Sequence, residues 1–302
     1  MTEWKKKAQT ELAGIKFSLD YSMAALTTFK IGGPADLLVE PSNVEELQKV
    51  LQFCHREQLP WMVLGLGSNL LVRDRGIRGI VIKLRGEFTQ WNVDGTRVTA
   101  GAAVTLSELS RAMIQLGLSG LEFACGIPGS VGGAVYMNAG AYDGMVSTVL
   151  TKAEAFDPQT GSIWYDRSEL DFGYRHSRFQ QSREVIIKVI FDLKPALSEE
   201  VAAKVNLLTQ KRECRQPLEL PSAGSVFRRP EGHYVGPMIE AAGLKGFQIG
   251  GARVSEKHAG FIVNVGQASA QDVLDLIEHI RAVVKANNDV DLIPEIKVVG
   301  EP

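Results

Sequence analysis

Apolar residues recur every three or four positions in several stretches of the chain, and this spacing predicts amphipathic helices. Two of these stretches begin directly after a Ser or Thr that has a Glu three residues further along the chain, which is the pattern of a capping box. Other helix starts are indicated by a Ser or by a Pro in the first turn. The predicted starting points are Ser42 with Glu45, Thr105 with Glu108, Ser198, Pro237 and Ser269.

Between the helices, short runs rich in Val, Ile and Leu predict β-strands. The run at 61–64 is expected to be a buried strand. These strands alternate with only occasional helices, which is typical of a mixed α+β protein. The predicted strands are 37–39, 61–64, 69–72, 79–84, 97–100, 152–156, 184–193, 253–254, 261–265 and 296–299.

One stretch, residues 126–140, fits neither periodicity and holds five glycines in fifteen residues. Glycine permits positive φ and close approach of another molecule to the backbone, so these glycines are expected to lie outside helix and strand interiors. Consecutive N–H groups there could form a nest for a pyrophosphate. A Cβ at Gly129 or Gly132 is then expected to block a cofactor. A structural turn is the alternative.

A second glycine turn, Gly65-Leu66-Gly67-Ser68-Asn69-Leu70, begins like a dinucleotide-binding fingerprint. That fingerprint requires strand, glycine turn and then helix. Here the last glycine is replaced by Leu70, and a strand is predicted next. The pattern therefore argues against a classical Rossmann fold, although a nucleotide phosphate could still bind the N–H groups of this turn.

Composition narrows the class of protein. A length of 302 residues predicts about two domains, and 45% hydrophobic with 23% charged residues is typical of a globular protein. A net charge of −2 argues against nucleic acid as a partner. The three cysteines form no metal-binding pattern, so no metal is expected, and they suit a reducing cytoplasm. Neither a secretory signal nor a membrane insertion is predicted.

Three short segments contain side chains that could take part in binding or catalysis. Residues 171–179 contain two arginines, a tyrosine and a histidine, and residues 223–230 contain a serine after a glycine. The third is Glu295, at the start of an apolar strand. Arginine pairs well with carboxylate or phosphate, and a buried Glu would have a raised pKa. Each also has an ordinary reading as surface loop, turn or strand edge. The basic helix end with Lys211, Arg212 and Arg215 is equally explained by the preference of cations for helix C-termini.

Taken together, five motifs resemble the UDP-N-acetylenolpyruvoylglucosamine reductase family, in its shorter form, and occur in the family's order. They are G-L-G-S-N-L-L-V at 65–72, G-I-P-G-S-V-G-G-A-V-Y-M-N-A-G-A-Y at 126–142, Y-R-H-S-R-F at 174–179, A-G-S-V-F at 223–227 and P-E-I-K at 294–297.

The resemblance implies an α+β fold with two p-cresol-methylhydroxylase-type FAD-binding lobes and a C-terminal α/β substrate-binding domain. The corresponding segments are 1–85 with a C-terminal return at 291–302, then 86–215, and 216–290. It also implies non-covalent FAD, NADPH as hydride donor and UDP-N-acetylglucosamine enolpyruvate as substrate, in peptidoglycan precursor synthesis. The implied cofactor-binding residues are Gly65, Gly67, Ser68, Asn69, Leu70, Gly126, Ile127, Pro128, Gly129, Ser130, Gly132, Gly133, Asn138 and Gly140.

For catalysis the resemblance implies that Arg175 and Glu295 bind the substrate carboxylate and that Ser225 donates a proton. Tyr174 and Arg215 are further candidates for substrate binding. The chain departs from many members at Arg228-Arg229-Pro230, where they have Lys-Asn-Pro, so a role of that Asn is not carried over. A sugar or alcohol oxidase of the same fold class and a non-catalytic nucleotide-binding regulator are the alternatives.

Overall fold

The structure is a computed structural model that describes residues 2–302. Its α-helices are α1 Glu3–Glu11, α2 Val44–Arg56, α3 Leu106–Gln115, α4 Val131–Tyr136, α5 Ser198–Arg215, α6 Val235–Ala241 and α7 Ala270–Asn288. Within residues 2–302, none of these helices has the length and apolar character needed to cross a bilayer. The mixture of helices and sheets confirms the predicted α+β class.

The strands alternate with the helices along the chain, and nearly every predicted strand is present within two or three residues of its predicted bounds. They are β1 Lys16–Ser22, β2 Pro34–Glu40, β3 Trp61–Val63, β4 Leu70–Val72, β5 Ile77–Ile82, β6 Trp91–Asp94, β7 Arg97–Gly101, β8 Leu118–Ser119, β9 Gly140–Ala141, β10 Gly144–Met145, β11 Leu150–Asp157, β12 Gly161–Asp166, β13 Val185–Asp192, β14 Lys194–Pro195, β15 Ser222–Ser225, β16 Gln248–Ile249, β17 Ala252–Val254, β18 Phe261–Asn264 and β19 Lys297–Val299.

The helix starts confirm one predicted cap and correct two. Helix α2 is capped by Asn43, whose side chain accepts the N–H of Glu46 at 2.8 Å, so the capping box predicted at Ser42 with Glu45 is wrong by one residue. Ser42 instead donates its N–H and hydroxyl to the Glu46 carboxylate, each at 2.7 Å. Both registers satisfy the sequence pattern, and the amide oxygen of residue 43 takes the N-cap position.

The other two predicted residues are N-caps of their helices, but the capping box predicted at Thr105 with Glu108 does not form. Thr105 is the N-cap of α3, but its hydroxyl donates to the Glu108 carboxylate rather than accepting a backbone N–H. Ser269 and Asp272 form a complete capping box at the start of α7. The last helix of the chain therefore begins where the sequence places it.

The chain divides into two compact units, and the first comprises residues up to 18, 38–66 and 80–212. Its main feature is an antiparallel five-stranded sheet with the strand order β12-β11-β13-β7-β6. At the sheet's centre Val189 pairs with Ala153 on one side and Ala100 on the other, and all three are fully buried. Helix α4 lies against this sheet through β7 and β13.

A second sheet has the order β1-β2-β5-β3, in which β3 pairs in parallel with β5. The prediction of a buried strand at 61–64 is wrong for most of its length, since Trp61, Met62 and Val63 are each only half-buried. The strand lies at the edge of its sheet, where one side lacks a neighbouring strand.

The second unit comprises residues 19–37, 67–79 and 213–302. It contains an antiparallel sheet with the order β15-β18-β17-β16, together with β19 paired in parallel with β4. Its core gathers the inner faces of α6 and α7 and includes Ile239, Val273, Leu276 and Ile280, all at most 1% exposed. This division differs from the three segments 1–85 with 291–302, 86–215 and 216–290, which stay a prediction.

Candidate active site

The glycine stretch 126–140 contains a helix that the sequence did not predict. Ser130 caps α4 by accepting the N–H of Gly133 at 3.2 Å, and Gly132 and Gly133 lie in the first turn of α4. The expectation that all five glycines avoid helix interiors is therefore wrong. None of them has positive φ; in this stretch the left-handed conformation falls on Asn138, with φ 42°.

The predicted anion nest is also largely absent, because the protein uses the N–H groups itself. Gly129 donates to Ile127, Val131 to Val104 and Gly132 to Ala102, all at 2.8–2.9 Å. These bonds tie the stretch to the end of β7 and the loop that follows. Consecutive N–H groups are thus not available together for a pyrophosphate.

The glycines of this stretch nevertheless differ in what surrounds them. A Cβ at Gly132 would lie 2.9 Å from the Cβ of Ala102, so this glycine serves helix–sheet packing. A Cβ at Gly129 would meet only the Cγ2 of Ile127, at 3.8 Å, an ordinary contact. Nothing in the protein around Gly129 therefore requires a glycine there, whereas a ligand that contacts the backbone would require one.

The two predicted glycine turns meet at Gly65 and Ser130 in the first unit. A Cβ at Gly65 would lie 2.5 Å from the Oγ of Ser130. The rest of the earlier turn, Gly67 to Leu70, belongs to the second unit. There Gly67 has φ +64°, and a Cβ would lie 2.4 Å from the carbonyl oxygen of Leu26, so the turn itself requires this glycine. Strand β4 begins at Leu70, which supports the rejection of a Rossmann fingerprint.

The predicted arginine lies in a tight turn tied to the end of the glycine stretch. Gly173 and His176 exchange backbone hydrogen bonds of 3.2 and 3.3 Å, which places Arg175 in the turn with φ 53°. Asn138 donates its side-chain amide to the carbonyl of Gly173 at 2.9 Å, and Nη1 of Arg175 donates to Gly140 at 3.4 Å. A non-glycine residue at positive φ is a strained feature that is often found at functional sites.

Two of the three predicted catalytic residues lie on adjacent segments of the second unit. Glu295 donates its N–H to the carbonyl of Val226 at 2.7 Å, and Phe227 forms a bridge with Pro294. Ser225 therefore directly precedes Val226, the residue whose carbonyl accepts the N–H of Glu295. Asn69 is also nearby, because its side-chain amide donates to the Glu295 carbonyl at 3.4 Å.

The Ser225 side chain is half-buried at the end of β15, opposite Phe261 of β18. Its hydroxyl donates to the carbonyl of Phe227 at 3.3 Å, a long bond that a better acceptor could replace. A Cβ at Gly260 would lie 3.7 Å from this hydroxyl oxygen and 3.0 Å from Cε1 of His258. A histidine that the sequence did not single out is therefore a neighbour of Ser225.

The environment of His258 favours a neutral imidazole. Burial lowers its pKa, and the positive charges of Lys245 and Arg215 lower the pKa further, although a backbone hydrogen bond opposes them. Its Nδ1 accepts the N–H of Gly260 at 3.0 Å, so the ring proton lies on Nε2. A single histidine between Lys and Ala has no sequence pattern that distinguishes it from a core residue.

The remaining candidates are more exposed. The Tyr174 side chain is 59% exposed and lies 5.3 Å below the guanidinium of Arg175, while Arg215 is exposed at the last position of α5. Arg229 is the residue that stands where many family members have Asn. Its Nε donates to the carbonyl of His233 at 3.3 Å, and its guanidinium stacks 3.9 Å from the centre of the Tyr234 ring.

These observations fit a bound dinucleotide such as FAD. Within residues 2–302, a Cβ at Gly129 would contact only Ile127, at 3.8 Å, so there is room beside this backbone. The guanidinium of Arg212 lies beside Gly126 and makes no ion pair with any carboxylate in residues 2–302. Within the same residues no group of three metal-ligating side chains is present.

Comparison with known proteins gives the family. Residues 35–165 match the family model described as an FAD binding domain, and residues 216–299 match the C-terminal domain of UDP-N-acetylenolpyruvoylglucosamine reductase. A protein of that name from Clostridium beijerinckii is 47% identical over 95% of this chain and 94% of its own length. One from Streptococcus agalactiae is 45% identical over 98% of each chain.

A solved structure agrees with these matches. UDP-N-acetylenolpyruvylglucosamine reductase from Thermus caldophilus superposes with a TM-score of 0.82 at 36% identity, covering 94% of this chain and 98% of that one. The match confirms the predicted fold class, with p-cresol-methylhydroxylase-type FAD-binding lobes and a C-terminal α/β domain. At this identity and coverage, the chain belongs to the UDP-N-acetylenolpyruvoylglucosamine reductase family of FAD-dependent oxidoreductases.

Proposed function

We propose that this protein reduces UDP-N-acetylglucosamine enolpyruvate to UDP-N-acetylmuramate with NADPH as the hydride donor. The reaction supplies a peptidoglycan precursor and so serves cell wall growth and division. A cytoplasmic setting is supported by the three cysteines, all of which are free, with Cys54 and Cys125 buried.

The observation that carries the proposal is the pairing of the Ser225 and Glu295 segments. A serine hydroxyl and a carboxylate are held on neighbouring backbones by the bond from Glu295 to Val226, in a chain that is 47% identical to a named reductase. A non-catalytic nucleotide-binding regulator has no use for this pair.

The residues proposed to hold FAD come from the two glycine turns. They are Gly65, Gly67, Ser68, Asn69 and Leu70 of the earlier turn and Gly129 and Ser130 of the later stretch. When bound, the flavin supplies the chemistry of accepting a hydride from NADPH and passing it to the enolpyruvyl double bond. A Cβ at Gly65 would lie 2.5 Å from Oγ of Ser130, and one at Gly132 would lie 2.9 Å from Cβ of Ala102, so both backbones pack closely against other parts of the protein.

Ser225 is proposed to supply the proton. Hydride addition at C3 of the enolpyruvyl group leaves negative charge on C2 that spreads into the carboxylate, and C2 then takes a proton from the serine Oγ. A serine hydroxyl is a weak acid, but the carbanion is a strong base, so positioning matters more than a tuned pKa. The proton that Ser225 now donates to the Phe227 carbonyl is the one to be transferred.

Arg175 and Glu295 are proposed to bind the substrate's carboxylate end, where charge develops during the reaction. A guanidinium fixed by a turn stabilises such charge without reorganising. The bond from Arg175 to the carbonyl of Gly140 and the backbone bond at Glu295 are the restraints that hold them. Tyr174 and Arg215, both exposed, are proposed for the sugar nucleotide.

An anaerobic turnover assay tests the proposal. Purified protein is mixed with NADPH and UDP-N-acetylglucosamine enolpyruvate, and NADPH oxidation is followed together with formation of UDP-N-acetylmuramate. The expected result is one product formed for each NADPH consumed. Failure to form UDP-N-acetylmuramate here, together with turnover of a sugar or alcohol in a parallel aerobic assay, would replace this proposal by the oxidase alternative.

A further inference from the structure

The turn that carries Arg175 depends on its surroundings for its shape. Arg175 has φ 53°, the left-handed conformation, which a non-glycine residue keeps only where other contacts enforce it. The N–H of Arg178 donates to the carbonyl of Leu170 at 2.9 Å, and Gly173 and His176 exchange backbone bonds. These bonds close the turn, but none of them is made by the backbone of Arg175 itself.

The side chain of Gln180 reaches back from beyond the turn to the main chain of Arg175. Its Nε2 donates to the carbonyl of Arg175 at 2.9 Å and to the carbonyl of Tyr136 at 2.9 Å. A side-chain amide nitrogen carries two protons, so both bonds form at the same time. The amide therefore joins the backbone of Arg175 to the end of α4.

Tyr136 is a suitable anchor because it is the last residue of α4. The final carbonyls of a helix lack partners within the helix, so they accept hydrogen bonds from outside it. The Tyr136 carbonyl also accepts the hydroxyl of Ser177, a fully buried residue, at 2.8 Å. Asn138, two residues further along, donates to the carbonyl of Gly173 at 2.9 Å. The side chains of Gln180, Ser177 and Asn138 thus attach the arginine turn to the end of α4.

The segment that carries Gln180 is itself fixed on the five-stranded sheet. The neighbouring Phe179 is 2% exposed, and its ring meets that of Tyr165 in β12 edge-on, with 6.1 Å between the ring centres. The guanidinium of Arg178 stacks 3.8 Å from the centre of the Tyr165 ring, and its Nη2 lies 3.7 Å from the Glu184 carboxylate. The amide of Gln180 is therefore in place before any ligand binds.

Loss of this amide would release the main chain of Arg175. The Arg175 carbonyl would lose a hydrogen bond, and the residue could then move from the left-handed conformation to a more favourable one. The side chain would move with the backbone that carries it. The bond from Nη1 of Arg175 to the carbonyl of Gly140, at 3.4 Å, is too long to prevent this movement.

We propose that Gln180 is a positioning residue for Arg175, holding the turn in the conformation from which the guanidinium binds the substrate's carboxylate. Gln180 acts through the main chain of Arg175, and the inference rests on the role proposed above for that arginine. Gln180 lies one position beyond the Y-R-H-S-R-F motif and outside both family matches, which cover 35–165 and 216–299.

Three variants of Gln180 and a matched control test this role. Gln180→Met keeps the length of the side chain but removes its donors, Gln180→Asn keeps an amide but shortens its reach, and Gln180→Lys keeps a donor. Gln181→Met makes the first change at the exposed neighbour. Each full-length protein, loaded with FAD, is reduced with NADPH and then reoxidised with a saturating concentration of UDP-N-acetylglucosamine enolpyruvate. Stopped-flow absorbance of the flavin follows both steps.

Gln180→Met and Gln180→Asn are expected to slow the limiting rate of reoxidation by about 10- to 100-fold, because a misplacement of about 1 Å can cost this much. Reduction of the flavin by NADPH should stay within about twofold of wild type, since it does not use the substrate's carboxylate. Gln180→Lys should recover part of the reoxidation rate. Gln181→Met should leave both steps within about twofold of wild type.

A double-mutant cycle shows whether Gln180 acts through Arg175. Arg175→Met removes the guanidinium, and adding Gln180→Met to it should slow reoxidation by no more than about twofold beyond Arg175→Met alone. A loss that is merely structural would instead lower the rate by the same factor whether the arginine is present or absent.

Amide hydrogen exchange in the FAD-free proteins gives a readout that does not depend on activity. Exchange across residues 171–178 should be faster in Gln180→Met than in wild type and unchanged in Gln181→Met. The inference is overturned if Gln180→Met and Gln180→Asn are reoxidised as fast as wild type, or if the effects of Gln180→Met and Arg175→Met multiply in the cycle. Failure of the substrate to reoxidise the wild-type flavin would overturn the proposed function as well.

Discussion

Ser225 illustrates how a residue with no unusual chemistry is placed by backbone bonds around it. The next residue, Val226, donates its N–H to Gly260 at 2.9 Å and accepts from Glu295 at 2.7 Å. The backbone directly after Ser225 is therefore hydrogen-bonded to two other segments of the chain, and these bonds restrict the position of the serine. Such positioning is what a weak acid needs in order to act as a proton donor.

Replacing Ser225 by Ala is expected to separate the two halves of the reaction. Reduction of the flavin by NADPH should proceed as in wild type, because it needs no proton at the substrate. Reoxidation by the enolpyruvyl substrate should slow by about 10²- to 10⁴-fold, and Ser225→Cys should recover part of this rate. Stopped-flow absorbance of the flavin measures each half separately.

The control for this experiment is Ser222→Ala, the same change at the other end of β15. It should alter neither half-reaction. Unchanged reoxidation in Ser225→Ala would remove Ser225 from the mechanism, and equal slowing of both halves would indicate a damaged site instead.

Gly129 and Gly132 are expected to respond differently to the same substitution. Gly129→Ala leaves the FAD-free protein as stable as wild type, because its Cβ meets only an ordinary contact at 3.8 Å, but it weakens FAD binding. Gly132→Ala destabilises the protein itself by about 1–3 kcal/mol, because its Cβ overlaps that of Ala102 at 2.9 Å. Thermal unfolding without FAD and FAD titration measure the two effects. Full FAD affinity in Gly129→Ala would mean that no ligand approaches this backbone.

Helix α5 and the segment before the glycine stretch are joined by a buried carboxylate. Glu122 is 4% exposed; it accepts from the Ser119 hydroxyl at 2.6 Å and from the N–H of Gly120 at 2.8 Å. Burial would raise its pKa, but these bonds and the charge of Lys204 outweigh burial, and the pKa lies below its ordinary value of 4.5. The ionised form is therefore part of the folded structure.

Glu122→Gln is expected to lower the free energy of unfolding at neutral pH by about 1–3 kcal/mol. A carboxyl whose pKa is lower in the folded state stabilises the protein above about pH 4.5, and this contribution is lost as the pH falls through the folded pKa. The difference between variant and wild type should thus narrow below pH 4.5. Urea unfolding across this range measures it, and a difference independent of pH would contradict it.

Lys204→Gln removes the ion pair with Glu122 but leaves the hydrogen bonds of the Glu122 carboxylate in place. The Lys204 side chain is 58% exposed, so the loss of the ion pair should cost at most about 1 kcal/mol. A cost as large as that of Glu122→Gln would assign the stabilisation to the ion pair rather than to the hydrogen bonds.

At the scale of the whole molecule, the cofactor is expected to be bound without a covalent bond. The two glycine turns contain no histidine, and the thiol of Cys125 packs against Val205 and Thr209 of α5. Acid precipitation should therefore release the yellow colour into the supernatant, from wild type and from Cys125→Ala alike. Colour that stays with the wild-type pellet but not with the Cys125→Ala pellet would show a cysteinyl link.

The same binding should stabilise the fold by an amount that grows with the logarithm of the FAD concentration above the dissociation constant. A ligand at about 100 times its dissociation constant adds about 2.7 kcal/mol to the free energy of unfolding. The melting temperature should rise with added FAD, and Gly129→Ala should need a higher FAD concentration than wild type to reach the same rise.

The sequence by itself determined the local elements and the family. Helices at 198–215 and 270–288 follow from their apolar spacing, and the cap at Ser269 follows from short-range hydrogen bonding. These are interactions between residues a few positions apart, so the chain alone specifies them. The motifs around Gly65, Gly126 and Ser225 sufficed for the family because their identities and order are characteristic.

Only the tertiary structure decided which glycines serve the protein and which leave room for a ligand. Gly132 is required by Ala102 and Gly67 by Leu26, while no neighbour within residues 2–302 requires a glycine at position 129. The helix α4 within a glycine-rich stretch forms because Ser130 caps it and Ala102 accepts the N–H of Gly132, and tertiary contacts override the low helix propensity of glycine. The positions of Arg212 beside Gly126 and of His258 beside Ser225 depend on residues far apart in the chain, because distant segments are brought together only by the packing of the core.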